Sequence, residues 1–173
     1  MSINKIKYNT LYNQLAESID FENSTPITLK LNQDVRFKVK DLDVGVKVEQ
    51  FSHGSEIMFQ RGSILYNKFN PNTYYNIGFD IEDSTIQKYK TDYNTLANIL
   101  GIIVKSTLEW IKQNNPDVVT IIPTGKNDIE SKKKLSIYAS ILHGNESLLN
   151  SIGYYWDTSK FMGKPGLYIA KIK

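Results

Sequence analysis

The stretch from Thr91 to Pro123 limits most tightly what this chain can fold into. Tyr93, Leu96, Ala97, Leu100, Ile103, Val104, Leu108 and Ile111 recur at steps of three and four, which places them on one stripe of an α-helix. Ile99, Ile102 and Trp110 fall outside that stripe. The pattern therefore predicts a helix covered on more than one side, with Lys105, Glu109 and Lys112 on its wet face. Thr91 or Asp92 can cap its start by accepting a free backbone N–H of the first turn. Asn114-Asn115-Pro116 ends it, because Asn tolerates the left-handed conformation and Pro cannot continue the ladder. Val118-Val119-Thr120-Ile121-Ile122 follows, β-branched throughout, as in a central strand buried on both faces; Pro123-Thr124-Gly125 closes it. A strand, this helix and a buried strand in that order predict a crossover unit, right-handed where its strands are parallel.

A chain of 173 residues is expected to form one domain, 1–173, with residues 1–26 as an N-terminal helix and connector. A hydrophobic content of 40% and a charged content of 23% are ordinary for a globular chain. No apolar run approaches the roughly 20 residues of a membrane span, so no membrane partner is expected. Met1-Ser2-Ile3-Asn4-Lys5 leads into polar sequence, which predicts no secretory leader. The lack of cysteine excludes disulfides and thiolate metal sites and fits a reducing compartment. The net charge of +3 is spread with both signs mixed, not as the basic stripe of a nucleic-acid binder. Eleven tyrosines supply side chains suited to a core or an interface.

Ahead of the central helix the period is mostly two. Ile6, Leu11, Tyr12, Leu15 and Ile19 first mark an amphipathic helix over residues 5 to 19, and Phe21 to Pro26 is a connector. Ile27, Leu29 and Leu31 alternate as in a short strand. Val35 to Lys40 sets three apolar residues against Arg36, Lys38 and Lys40, a strand with one solvated face. Val44, Val46 and Val48 repeat the pattern after a turn at Leu42-Asp43. His53-Gly54-Ser55 is turn chemistry, Glu56 to Gln60 a further short strand, and Gly62 to Asn72 irregular. Tyr75, Ile77, Phe79 and Ile81 alternate over a longer strand, so residues 27 to 81 read as an antiparallel meander. After the buried strand, Asn127 and Glu130 form a capping-box-like start, and Ile129, Leu135, Tyr138, Ile141 and Leu142 give a second helix its apolar face up to Gly144. Glu146 to Ser151 adds a turn of helix. Ile152 to Trp156 and Leu167 to Ile172 read as two strands around a loop from Asp157 to Gly166.

This order of elements makes an α/β (α+β) fold: an antiparallel meander, a long central helix, a buried strand, a second helix and two C-terminal strands. From about Val35 to Ile172 it resembles the GNAT superfamily of acyl-CoA-dependent N-acyltransferases. Leu135-Ser136-Ile137-Tyr138 resembles the tyrosine-bearing helix of that family, and Gly153-Tyr154 its Gly-aromatic lead into the next strand. The resemblance implies a general-acid role for Tyr138 toward the CoA thiolate, with Glu82 or Asp80 as a base acting through water. It also implies a Gln/Arg-x-x-Gly-x-Gly/Ala loop before the long helix, where backbone N–H groups cradle the pyrophosphate. Here that position reads Gln87-Lys88-Tyr89-Lys90-Thr91-Asp92, with no glycine between Gly78 and Gly101. Asp92 points a negative charge at the phosphate position; Lys88 and Lys90 offset it but cannot replace the cradle. No cofactor is expected on that ground. The richness in Asn, Lys, Ile and Tyr and the loss of the glycine loop are similar to small proteins of tailed bacteriophages.

Other candidate positions have plainer readings. His53 and His143 are the only histidines, and with no cysteine they predict no transition-metal site. Asp80, Glu82 and Asp83 could supply a base or a hard-cation ligand, yet read first as a solvated connector. Lys132-Lys133-Lys134 is a possible phosphate patch and, more plainly, the wet face of a helix. Thr124-Gly125-Lys126 lacks the rest of a phosphate loop and reads as a strand-helix turn. Tyr154-Tyr155-Trp156 with Phe161 and Met162 is an aromatic cluster, one side for the core and the other for solvent or a partner. The expectation is a non-enzymatic protein of GNAT-like fold, such as a phage structural or accessory component. It has no catalytic, cofactor or metal residues, and it works through a protein partner or self-association in a bacterial host cytoplasm or on a virion. The alternative is a divergent acyl-CoA-dependent N-acetyltransferase; binding of nucleic acid through Arg36, Lys38 and Lys40 is the third reading.

Overall fold

The long apolar stripe becomes one helix. In the computed structural model, which describes residues 24–40, 42–52, 73–81, 93–123, 128–161 and 163–172, Tyr93–Asn114 is helix α1 and Val118–Ile121 is a fully buried strand, β4. Burial extends past the stripe of α1: Ile99 and Trp110 are buried like Leu100 and Ile111, while Ile102 is half-buried. Asn115 stops the helix at φ 51°, and its N–H still reaches Ile111 O at 2.8 Å.

Strands β1 (Asp34–Val39), β2 (Leu42–Ser52) and β3 (Thr73–Ile81) precede α1. Helices α2 (Asp128–Gly144) and α3 (Glu146–Ser151) and strands β5 (Tyr154–Phe161) and β6 (Lys164–Lys171) follow β4. The six strands form one mixed sheet in the order β1-β2-β3-β4-β6-β5. Only β3 and β4 are parallel; every other neighbour pair is antiparallel. Strand alternation sends Val44, Val46, Val48, Ile77, Val119, Ile121, Leu167, Ile169 and Trp156 to one face. There they share a single core with the buried residues of all three helices. That segregation is the α/β arrangement the hydrophobic periods predict.

Several boundaries depart from expectation. Ile27 to Leu31 is no strand: Leu31 makes one parallel bridge to Val48, and a turn from Lys30 to Gln33, with Asn32 at φ 57°, interrupts the pairing. The segment is held instead by Leu29, which is buried, and by the Ile27 N–H, which donates to Ser106 Oγ at 3.0 Å. The first hairpin closes before Leu42, because Val39 pairs with Leu42 and Lys40 takes φ 55°. The loop expected over Asp157 to Gly166 is a hairpin instead: Asp157 pairs with Tyr168 and Phe161 with Lys164, and Gly163 takes φ 80°. Its two glycines read as loop residues, but ladder pairing overrides that local signal. Ile129, expected on the apolar face of α2, is 69% exposed. The helix expected over residues 5 to 19, the segments at 53–72 and 82–92, and the cap at Asn127 lie outside the described residues.

Candidate functional site

Among the described residues the parallel seam is the shortest joint in the sheet. β3 runs on to Ile81, yet it pairs with β4 only through Tyr75↔Val119 and Asn76↔Thr120. Ile121 stays paired on its other side with Leu167 of β6. Beyond Asn76, therefore, β3 has no partner strand on its β4 side among the described residues. Thr120 pins the last joined pair. Its hydroxyl is fully buried, 3.0 Å from Asn76 Oδ1 and 3.3 Å from Tyr75 O.

Past this joint the helix-side face of β3 carries aromatic and cationic neighbours. Phe79 of β3 meets Tyr138 of α2 edge-on, with ring centroids 5.5 Å apart. Lys134, one turn earlier on α2, places Nζ 5.7 Å from the Phe79 ring centroid. Tyr138 is 1% exposed, and burial pushes its phenol well above the usual tyrosine value. A phenol so placed gives up its proton less readily than one in water. What this arrangement does chemically is pack an aromatic pair and hold a cation against it.

On the opposite face, the end of β3 belongs to an ion-pair cluster. Asp80 lies 3.6 Å from Arg36 Nη2. Arg36 also holds Asp34 at 2.9 Å and Asp43 at 3.1 Å. These carboxylates, Asp34 first, push its already high pKa further up. Arg36, Asp34 and Asp80 meet above Gly45, where a Cβ would stand 2.5 Å from Arg36 Nη1 and 2.5 Å from Asp80 Oδ1. Arg36, on the solvated face of β1, is thus surrounded by three acids. Among the described residues no three acidic or histidine side chains are arranged to hold a metal ion.

The remaining candidates scatter. Lys132 and Lys133 are exposed on α2, as a wet face should be. His143 Nδ1 lies 3.5 Å from Glu146 Oε2. Tyr154 and Trp156 belong to the helical core, whereas Tyr155 points to the other face, edge-on to Tyr168 at 6.1 Å. The Tyr154 hydroxyl donates to Pro116 O at 2.6 Å, and burial, aided by Asp117, pushes its pKa up to about 12. Pro26 to Leu29 borders a shallow crevice of about 110 Å³ against Ser106, Trp110 and Gln113. His53, Glu82, Asp83, Gln87 to Asp92, Thr124-Gly125-Lys126 and Met162 lie outside the described residues. Two features went unread in the sequence, though each left a signal. Thr120 is the one hydroxyl in a run of β-branched hydrocarbons, and Gly45 interrupts the solvated side of an alternating strand.

No helix among the described residues is long and apolar enough to cross a membrane. No family model, no curated protein and no solved structure matches this chain.

Proposed function

We propose that this chain is a non-enzymatic protein with a degenerate GNAT-like scaffold that works through protein-protein contacts, as a structural or accessory component of a tailed phage. The observation that carries the reading is Tyr138. The side chain that would have to protonate a leaving thiolate is sealed at 1% exposure against Phe79. The strand order with one parallel seam supports the scaffold comparison. The absence of any glycine between Gly78 and Gly101 supports loss of the phosphate cradle. Composition supports the phage assignment, and with it a place in the host cytoplasm or on the virion. Isothermal titration with acetyl-CoA tests the reading: no heat of binding is expected, and micromolar affinity would overturn it.

One observation favours a second reading, a divergent N-acetyltransferase. The described β3–β4 pairing ends at Asn76 and Thr120, the region where such an enzyme would admit its acyl thioester. In that case Tyr138→Phe lowers kcat by about 10²–10⁴-fold, the usual weight of a general acid. An unchanged rate removes Tyr138 from the mechanism.

A further inference from the structure

The two edges of the sheet, β5 and β1, are not alike. Next to β5 the Ile172 N–H donates to Gly153 O at 2.8 Å, so odd-numbered residues of β5 face β6 and even-numbered ones face outward. The outward Thr158 N–H is taken by Asp157 Oδ1 at 2.8 Å, a local cap that works against strand addition. At the foot of β1, the Asn32 N–H donates to Val48 O at 2.8 Å and the Gln50 N–H donates to Asn32 Oδ1 at 3.2 Å. Even-numbered residues of β2 therefore face the β1 side. By the register their partners are Val35, Phe37 and Val39, so the N–H and C=O groups of Asp34, Arg36 and Lys38 point away from β2. No strand lies beyond them among the described residues. The same three side chains are exposed, and Val35, Phe37 and Val39, on the helix-side face with Val44 and Val46, are only half-buried. Outward backbone groups and a part-covered apolar stripe thus run along one edge.

We infer that this edge takes β1 of a second copy of the chain, running antiparallel, so that two six-stranded sheets join into one. The strand is complementary to itself in one register. A two-fold axis at Arg36 sets Asp34 opposite the partner's Lys38 and Val35 opposite the partner's Phe37, each twice by symmetry. It also gives three hydrogen-bonded pairs of two bonds each, through Asp34, Arg36 and Lys38. An axis at Val35 keeps only two such pairs, and an axis at Phe37 sets Arg36 against a lysine. The arginines that meet at the chosen axis are each surrounded by Asp34, Asp43 and Asp80, which offsets their repulsion. Val35 and Phe37 gain cover on the face where they are half-buried. A foreign strand would have to reproduce this alternation of charge and bulk, whereas a second copy already carries it. The inference names the partner for the protein-contact reading above and rests on that reading for its role. The two fail separately: acetyl-CoA binding overturns the reading, and a chain that stays monomeric overturns the pairing.

Sedimentation velocity of the full chain tests the pairing. The six residues of β1 make a contact at the low end of specific interfaces, about 1,200 Å² in total or less, so a reversible dimer is expected over about 10–100 µM. Arg36→Pro spares the ladder to β2, because the N–H it removes points outward, and proline is tolerated on an edge strand in that setting. It should give a monomer with an unchanged circular-dichroism spectrum. Charge reversal gives a second readout that does not depend on that variant folding. Asp34→Lys and Lys38→Asp should each weaken the dimer several-fold, since each sets like charges opposite one another at two symmetric positions, and the two together should restore it. Because the chain has no cysteine, Arg36→Cys also reports the axis. Under mild oxidation it should link two chains, as hydrogen-bonded residues stand about 5.5 Å apart at Cα, within disulfide reach. Lys133→Cys, on the exposed face of α2, should stay unlinked. A chain monomeric throughout that range, a dimer that a folded Arg36→Pro leaves intact, or a paired reversal no tighter than either single change would overturn the inference.

Discussion

Gly166→Ala sets two effects of opposite sign against each other. Gly166 does not have a positive φ, so its strand backbone suits alanine. On conformational entropy alone the substitution should stabilise by about 0.5–1 kcal/mol. The added Cβ, however, would stand 2.8 and 2.9 Å from two ring carbons of Phe161 and 3.0 Å from Ile121 O. The carbonyl is held in β4 by the Ile121↔Leu167 pair, and Phe161 is 2% exposed, with little free space to enter. Forcing a methyl into such a site costs about 1–3 kcal/mol, and expelling the ring loses about 1.5–3 kcal/mol of burial. Either route outweighs the entropic gain, leaving a net loss of about 1–2 kcal/mol. With a urea dependence of about 2 kcal/mol/M, the unfolding midpoint should fall by about 0.5–1 M. A double-mutant cycle with Phe161→Ala isolates the cause, because without the ring the alanine should become neutral or mildly stabilising. Gly78→Ala is the matched control: nothing lies within 4 Å of its Cβ position, so its midpoint should rise slightly. A Gly166→Ala midpoint at or above that of the parent would refute the steric argument.

Other consequences follow from the same geometry. At Gly45 the atoms crowding an added Cβ are the ends of exposed, flexible side chains, so Gly45→Ala should shift the urea midpoint very little, with surface ion pairs worth about 0–1 kcal/mol. Thr120→Val removes the hydroxyl that joins β4 to Asn76; a loss of about 1 kcal/mol is expected, with amide exchange rising first at Ile77, and no local change would discount the seam. Tyr154 has a raised pKa, so its stabilisation is complete below the unfolded-state value of about 10 and is lost as pH rises toward about 12. Urea midpoints should therefore hold to about pH 9 and decline toward pH 11, with the same sign from the upward shifts at Tyr138 and Tyr168. Tyr154→Phe should lower the midpoint at pH 7 by stranding Pro116 O and should also flatten the alkaline decline; an unchanged decline would remove Tyr154 as one of its causes.

The elements that local chemistry could specify were legible in the chain. The three- and four-residue spacing from Tyr93, with Asn115 able to turn left-handed, marks α1. The β-branched run at Val118 marks a strand buried on both faces, and two-residue alternation marks β1, β2 and β3. Each follows from the period of one backbone conformation, which needs only neighbouring residues to be visible. What partners do to one another was not visible. Asp157 to Gly166 carries loop residues, but two strands of ladder bonds recruit them into a hairpin. Ile129 has the spacing of a core residue, yet at the first turn of α2 it has no core to meet. The carboxylates around Arg36 come from three strands, and Tyr138 finds Phe79 across more than fifty residues of chain. Alternation says which residues share a face, but only the pairing register says which of them touch, so the candidate site had to come from the tertiary structure.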